Sequence, residues 1–367
     1  MTVSGNSSLD GSAALNLANG INLGAALALP GSQNLTLGGN ITGTGSLTKN
    51  GASLLTLNGT NTFSGGVNLN AGGVLLGNGG ALGSGALNVS GSASLDGSAA
   101  LNLANNVTLG SGAVLSLPGS QAITLGGVVS GAGGLVKNGA STLTLNGANA
   151  FTGGLVLNGG GLTLGNAGAL GTGLLAVGAN ATLDSSVALN LGNAIDLDTG
   201  AQLSLVSNQN VALGGLITGT GGLVKTGSGI LSLNNSNTFS GGLALNAGSV
   251  SVGANGALGT GALNIGGNVS LDAGAAVSLA NAVNLGANTL TLPGSNNLTL
   301  TGVVGGAGGL IKNGASTLTL SGANTFLGGA TVNAGTLALG AGGSLAATGA
   351  VDLAGAGATL DISAAGA

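Results

Sequence analysis

The chain has 367 residues and a net charge of −4, and only 3% of its residues are charged, against roughly a quarter in ordinary domains. Glu, Arg, His, Cys, Trp and Tyr are absent, which excludes disulfides and thiolate metal sites and leaves no basic cluster for nucleic acid. A hydrophobic content of 43% excludes the composition typical of disorder, and the 80 glycines lack collagen's every-third spacing.

Between residues 94 and 181 the chain repeats an apolar-polar-apolar word: Leu101-Asn102-Leu103, Val107-Thr108-Leu109, Leu115-Ser116-Leu117, Ile123-Thr124-Leu125, Leu143-Thr144-Leu145 and Leu162-Thr163-Leu164. A side-chain period of two predicts short strands with one buried face. Pro118-Gly119-Ser120 and Asn138-Gly139 predict tight turns between them. No run of about 18 apolar residues is present to span a membrane as a helix, and four Phe cannot build the aromatic girdles of a membrane barrel.

The rare residues recur at a fixed interval. Lys49, Lys137, Lys225 and Lys312 lie 88, 88 and 87 apart, and Phe63, Phe151, Phe239 and Phe326 repeat those intervals. Pro30, Pro118 and Pro293 keep the same phase, with Val206 in the proline's place in the third copy. Fixed-period repetition implies stacked architecture. The expectation is an all-β, right-handed parallel β-helix (a β-solenoid) over 1–367, in units near 8–93, 94–181, 182–269 and 270–358, with 1–7 and 359–367 as partial units. Three strands per coil of about 22 residues give about four coils per unit and about sixteen in all. Leu, Val, Ile and Ala would fill the narrow interior, while Asn, Ser and Thr would face water and form ladders.

The segment Gly308-Gly309-Leu310-Ile311-Lys312-Asn313-Gly314-Ala315-Ser316-Thr317-Leu318-Thr319-Leu320, continuing through Asn324-Thr325-Phe326-Leu327-Gly328-Gly329 to Leu337, resembles the passenger-associated transport repeat (the autotransporter-associated β-strand repeat) of Gram-negative type V secreted proteins. Three further copies begin at Gly45, Gly133 and Gly221. The resemblance implies a right-handed β-helix exported through an outer-membrane barrel, working outside the cell or on its surface in adhesion or cell–cell contact.

Chemistry is sparse. Each Phe is expected to be one apolar plug per unit. The lysines are expected along one face as isolated solubilising charges or gatekeepers, too far apart to form a polyanion-binding stripe. Asp10, Asp96, Asp184 and Asp272 recur once per unit, too widely for an acid–base pair, and Asp196 and Asp198 supply too few oxygens for calcium. No catalytic residue, cofactor or metal site is expected, and the chain reads as a non-catalytic scaffold or stalk.

The N-terminus lacks a basic segment followed by an apolar core, so neither a signal sequence nor a translocator is expected within these residues. With no polar cap evident, two alternatives stand: an excerpt of a longer passenger, or a self-assembling filament whose solenoids stack end to end. The expected partner is thus an unidentified surface ligand or the chain itself, with no nucleic acid and no membrane-spanning segment.

Overall fold

The computed structural model describes residues 1–365, in which short strands are joined by turns and no helix occurs. The strand pairings among the described residues are parallel, and these residues wind about 18 turns of β-solenoid. Paired positions lie 19 to 23 residues apart, from Leu143↔Leu162 at 19 to Thr336↔Thr359 at 23, and most are 20 to 22. The turn is therefore slightly shorter than the sequence pattern suggests, and there are more of them.

Two compact units divide the chain, Met1–Ala181 and Thr182–Ala367. In the first, one side stacks continuously as far as Ala150–Phe151 and includes Leu27–Leu29, Leu47–Lys49, Val67–Leu69, Leu87–Val89 and Val107–Leu109. A second side stacks Leu35–Leu37, Leu54–Leu57, Gly72–Leu76, Ala93–Gly97 and Val114–Leu117. The third side begins with Thr2–Val3, Ile21–Leu23 and Ile41–Gly43, loses its ladder over the next two turns, and resumes at Leu101–Leu103. The second unit shows the same design. Its stacks include Gln202–Leu205 through Val304–Gly305 and Leu189–Leu191 through Val351–Leu353, while the third side breaks between Ile217–Gly219 and Val277–Leu279.

The alternation that marks the strands also builds the core. Leu47, Leu55, Leu57, Leu69, Leu76 and Leu87 point inward with essentially no exposed surface. Each such leucine contributes roughly 1.5–3 kcal/mol through burial. In-register stacking sets like residue on like residue, so the interior is a series of aliphatic columns, as in Leu37↔Leu57↔Leu76.

The repeat does not close on a whole number of turns. Following the ladder from Lys49 through Leu69, Val89 and Leu109 leads to Gly131, four turns on. Lys137 lies six residues further, in Gly134–Lys137 of the neighbouring side. An 88-residue unit is therefore four turns plus one side. In the second unit Lys225 and Lys312 likewise belong to different stacks, Gly222–Lys225 and Gly309–Lys312. The expected row of lysines along one face is corrected: a turn of about 22 residues would divide 88 evenly, but the observed spacing does not.

Candidate functional site

Lysine burial is the second correction. Lys49, Lys137, Lys225 and Lys312 are 1–2% exposed, so they are not solubilising charges. Each is the last residue of its strand, two after an inward leucine and itself at an inward position, and its stem stacks between aliphatic residues of adjacent turns. Lys49 lies between Leu29 and Leu69, Lys137 between Leu117 and Leu157, Lys225 between Leu205 and Leu245, and Lys312 between Leu292 and Val332.

The ammonium then reaches the corner just ahead of it. Lys49 donates to the carbonyl of Gly51, Lys137 to Gly139 and Lys225 to Gly227. Lys312 donates to Gly314 at 2.6 Å and Ala334 at 3.2 Å. Burial pushes all four ammonium groups below the ordinary lysine value of 10.5. Among the described residues no carboxylate pairs with any of them, and neutral carbonyl oxygens alone hold the charge.

The corner requires glycine. A Cβ on Gly31 (φ 75°) would sit 2.7 Å from the Lys49 ammonium, and one on Gly51 would lie 2.0 Å from the Pro30 carbonyl oxygen. Pro-Gly of one turn thus presses on Asn-Gly of the next, over the lysine. Gly119 with Gly139 and Gly294 with Gly314 repeat this contact. In the third copy, where Val206 replaces proline, Ser207 is buried and its hydroxyl lies 2.7 Å from that of Ser185.

Aspartates serve the same corners. Asp10 accepts from the Ser32 hydroxyl at 2.6 Å and from the backbone N–H of Gly11 and Ser32. Asp272 accepts from the Ser295 hydroxyl at 2.5 Å and the N–H of Ala273 and Ser295. The Ser32 hydroxyl, followed by the backbone donors, holds the exposed Asp10 carboxyl below its ordinary value. Asp96 and Asp184 each cap the next residue's N–H, and Asp196 accepts from Thr218 at 2.8 Å. No group of three metal-ligating side chains occurs among the described residues.

The four Phe rings lie inside, at most 2% exposed. Each sits where a side loses its ladder, and a glycine covers it from the next turn: a Cβ on Gly83 would meet Phe63 Cδ1 at 3.0 Å, and one on Gly259 would meet Phe239 Cδ1 at 2.9 Å.

Sequence reasoning missed the asparagines of the same Asn-x-Phe word. Asn61 accepts from Ile41 N–H at 2.8 Å and donates to the Ala81 carbonyl at 2.6 Å, bridging the turns on either side. Asn149 does so between Val129 and Ala169, and Asn237 between Ile217 and Ala257. Asn324 accepts from Val304 and donates to Gly322 and Ser344. A buried side-chain amide supplements the reduced backbone pairing there, where bonds such as Thr62 N–H to the Ile41 carbonyl and Ser64 N–H to the Gly43 carbonyl continue. Spacings of 88, 88 and 87 carried that signal. Exposed ladders also form, such as Ser90 to Asn70 at 2.5 Å and Asn70 to Asn50 at 2.7 Å.

The passenger-associated-transport-repeat family matches residues 47–76, 135–164, 223–252 and 310–339. Each match spans the lysine strand, the glycine corner, the Asn-x-Phe plug and the two strands beyond it. Residues of this chain are also 34% identical, over 148 positions, to the adhesin BmaC autotransporter of Brucella suis biovar 1 (strain 1330). That alignment covers 39% of this chain and 4% of the relative, so the chain spans a small fraction of the relative's length. No solved structure matches. No helix among the described residues is long and apolar enough to cross a membrane. The chain is a β-solenoid that carries four passenger-associated-transport repeats.

Proposed function

We propose that this chain is a non-catalytic structural segment of a surface-displayed passenger, positioned outside a Gram-negative cell to support adhesion. The observation that carries the reading is the use made of its few charged side chains. All four lysines are consumed in corners of the fold, and most of the aspartates cap backbone or hydroxyl groups. General acid–base chemistry needs titratable groups converging on one pocket, and these groups are distributed instead. Similarity to a protein named as an adhesin supports the adhesive context.

The test is adhesion of cells displaying the chain within a complete passenger. Lys137→Met and Phe151→Leu, which alter only buried positions, are expected to leave adhesion unchanged at temperatures where the protein stays folded. Loss of adhesion without loss of the β-sheet circular dichroism signal would overturn the reading. Electron microscopy of the purified chain is expected to show discrete particles, whereas filaments growing with concentration would favour end-to-end assembly.

A further inference from the structure

Where the third side of the first unit resumes, Leu101–Leu103 has a strand on one flank only, Ile123–Leu125. Leu101 N–H donates to Ala122 and the Leu103 carbonyl accepts from Gly126, so residues 101 and 103 serve that neighbour. In a parallel ladder the intervening residue points its backbone groups the other way. The N–H of Asn102 therefore faces the interrupted turn and has no acceptor among the described residues.

A surface groove of about 350 Å³ lies there, lined by Gly79, Gly80, Gly83, Ser84, Asn102, Ala104 and Asn105. Asn105 is buried, and its side-chain N–H donates to the carbonyls of Gly83 and Gly85 at 3.0 and 2.7 Å, which fixes the wall. The second unit shows an acceptor for the corresponding amide N–H. Ser278 corresponds to Asn102 (102 + 176), and its N–H is bonded at 2.9 Å by the side-chain amide oxygen of Asn255, at the position that Gly79 holds in the first unit.

We infer that the groove at Gly79–Ser84 and Asn102–Asn105 is a binding site for a neutral acetamido-bearing ligand, namely an N-acetylhexosamine residue, whose acetamido oxygen accepts from Asn102 N–H as Asn255 does at Ser278. The volume suits a ligand the size of one sugar residue. No charged group lines it, which disfavours ionic ligands. An added peptide strand is disfavoured because the Asn102 carbonyl is covered: a Cβ on Gly79 would lie 2.6 Å from it, so the alternating ladder cannot form. The proposal adds a ligand site to the scaffold, and the scaffold reading stands without it.

Titration of ¹⁵N-labelled protein with N-acetyl-D-glucosamine tests it. The Asn102 amide signal should shift with a Kd on the order of 1 mM, and D-glucose, lacking the acetamide, should bind about 10-fold more weakly. Asn102→Pro removes the donor at an edge position where proline is tolerated, and should abolish saturation transfer to the sugar while circular dichroism stays unchanged. Should that variant misfold, Asn255→Gly is the independent arm and should create a second responsive amide at Ser278. Equal response to both sugars, no shift at Asn102, or no new response in Asn255→Gly would overturn the assignment.

Discussion

Lys137 carries its charge into an aliphatic column with only a carbonyl for company. Desolvation lowers its folded pKa below the unfolded value, so between those values the unfolded chain binds more protons than the folded one. Stability is therefore expected to rise with pH as the unfolded value near 10.5 is approached, for this lysine and its three counterparts. Chemical denaturation between pH 7 and 10.5 measures the rise, and replacing all four by Met should flatten it. Lys137→Met alone should change stability by under about 1.5 kcal/mol, because volume is kept, whereas Lys137→Ala should cost about 2–5 kcal/mol. The exposed Asp10 works in the opposite range: its carboxyl is lowered, so its contribution is present at neutral pH and disappears as acid titrates it. Asn149→Ala strands the N–H of Val129 and the carbonyl of Ala169, at about 2–4 kcal/mol. Thermal unfolding of that variant beside Asn158→Ala, whose amide bridges only exposed Asn138, separates the buried bridge from a surface ladder.

At the level of strand and corner, the period of two in Leu-Thr-Leu placed the strands correctly, because burial on one face is all that such short segments need. The same parity placed Lys49, two residues after Leu47, on the inward face. The general preference of ammonium groups for water argued the other way, and a nearby carbonyl in the corner overrode it. Asn61 was equally hard to read, since exposed and buried asparagines share the alphabet of turns; only its phase with Phe63 distinguished it. Corner glycines divide into two kinds. Gly139→Ala would push a Cβ to 2.1 Å from the Pro118 carbonyl oxygen and should cost about 4 kcal/mol or more, while Gly192→Ala meets nothing within 4 Å and should be near neutral. Paired melting curves of the two variants check this.

For the molecule as a stack, each turn contacts chiefly its neighbours, so stability should follow from local turn-to-turn terms rather than from one global core. Residues 50–137 amount to one complete unit, and their excision joins Lys49 to Asn138 in the native Lys-Asn-Gly context. That protein should keep its β-sheet spectrum and protease resistance. Excising only 50–93 should not, because it joins Lys49 to Ser94, turns of unlike sequence, and removes the Gly51 corner and the Asn61–Phe63 plug that follow the lysine strand. Repeat length was legible from the marker residues, but the angular relation between copies was not, since it depends on a difference of about two residues per turn.

That fractional turn also governs how the array is grasped. The exposed corner Asn50-Gly51 and its copy Asn138-Gly139 look out in different compass directions within the same unit. A rigid two-armed reagent, such as an antibody raised against one corner, finds its second epitope around the bend and gains little avidity from the repetition. Only a grip with a flexible hinge can profit from the copies.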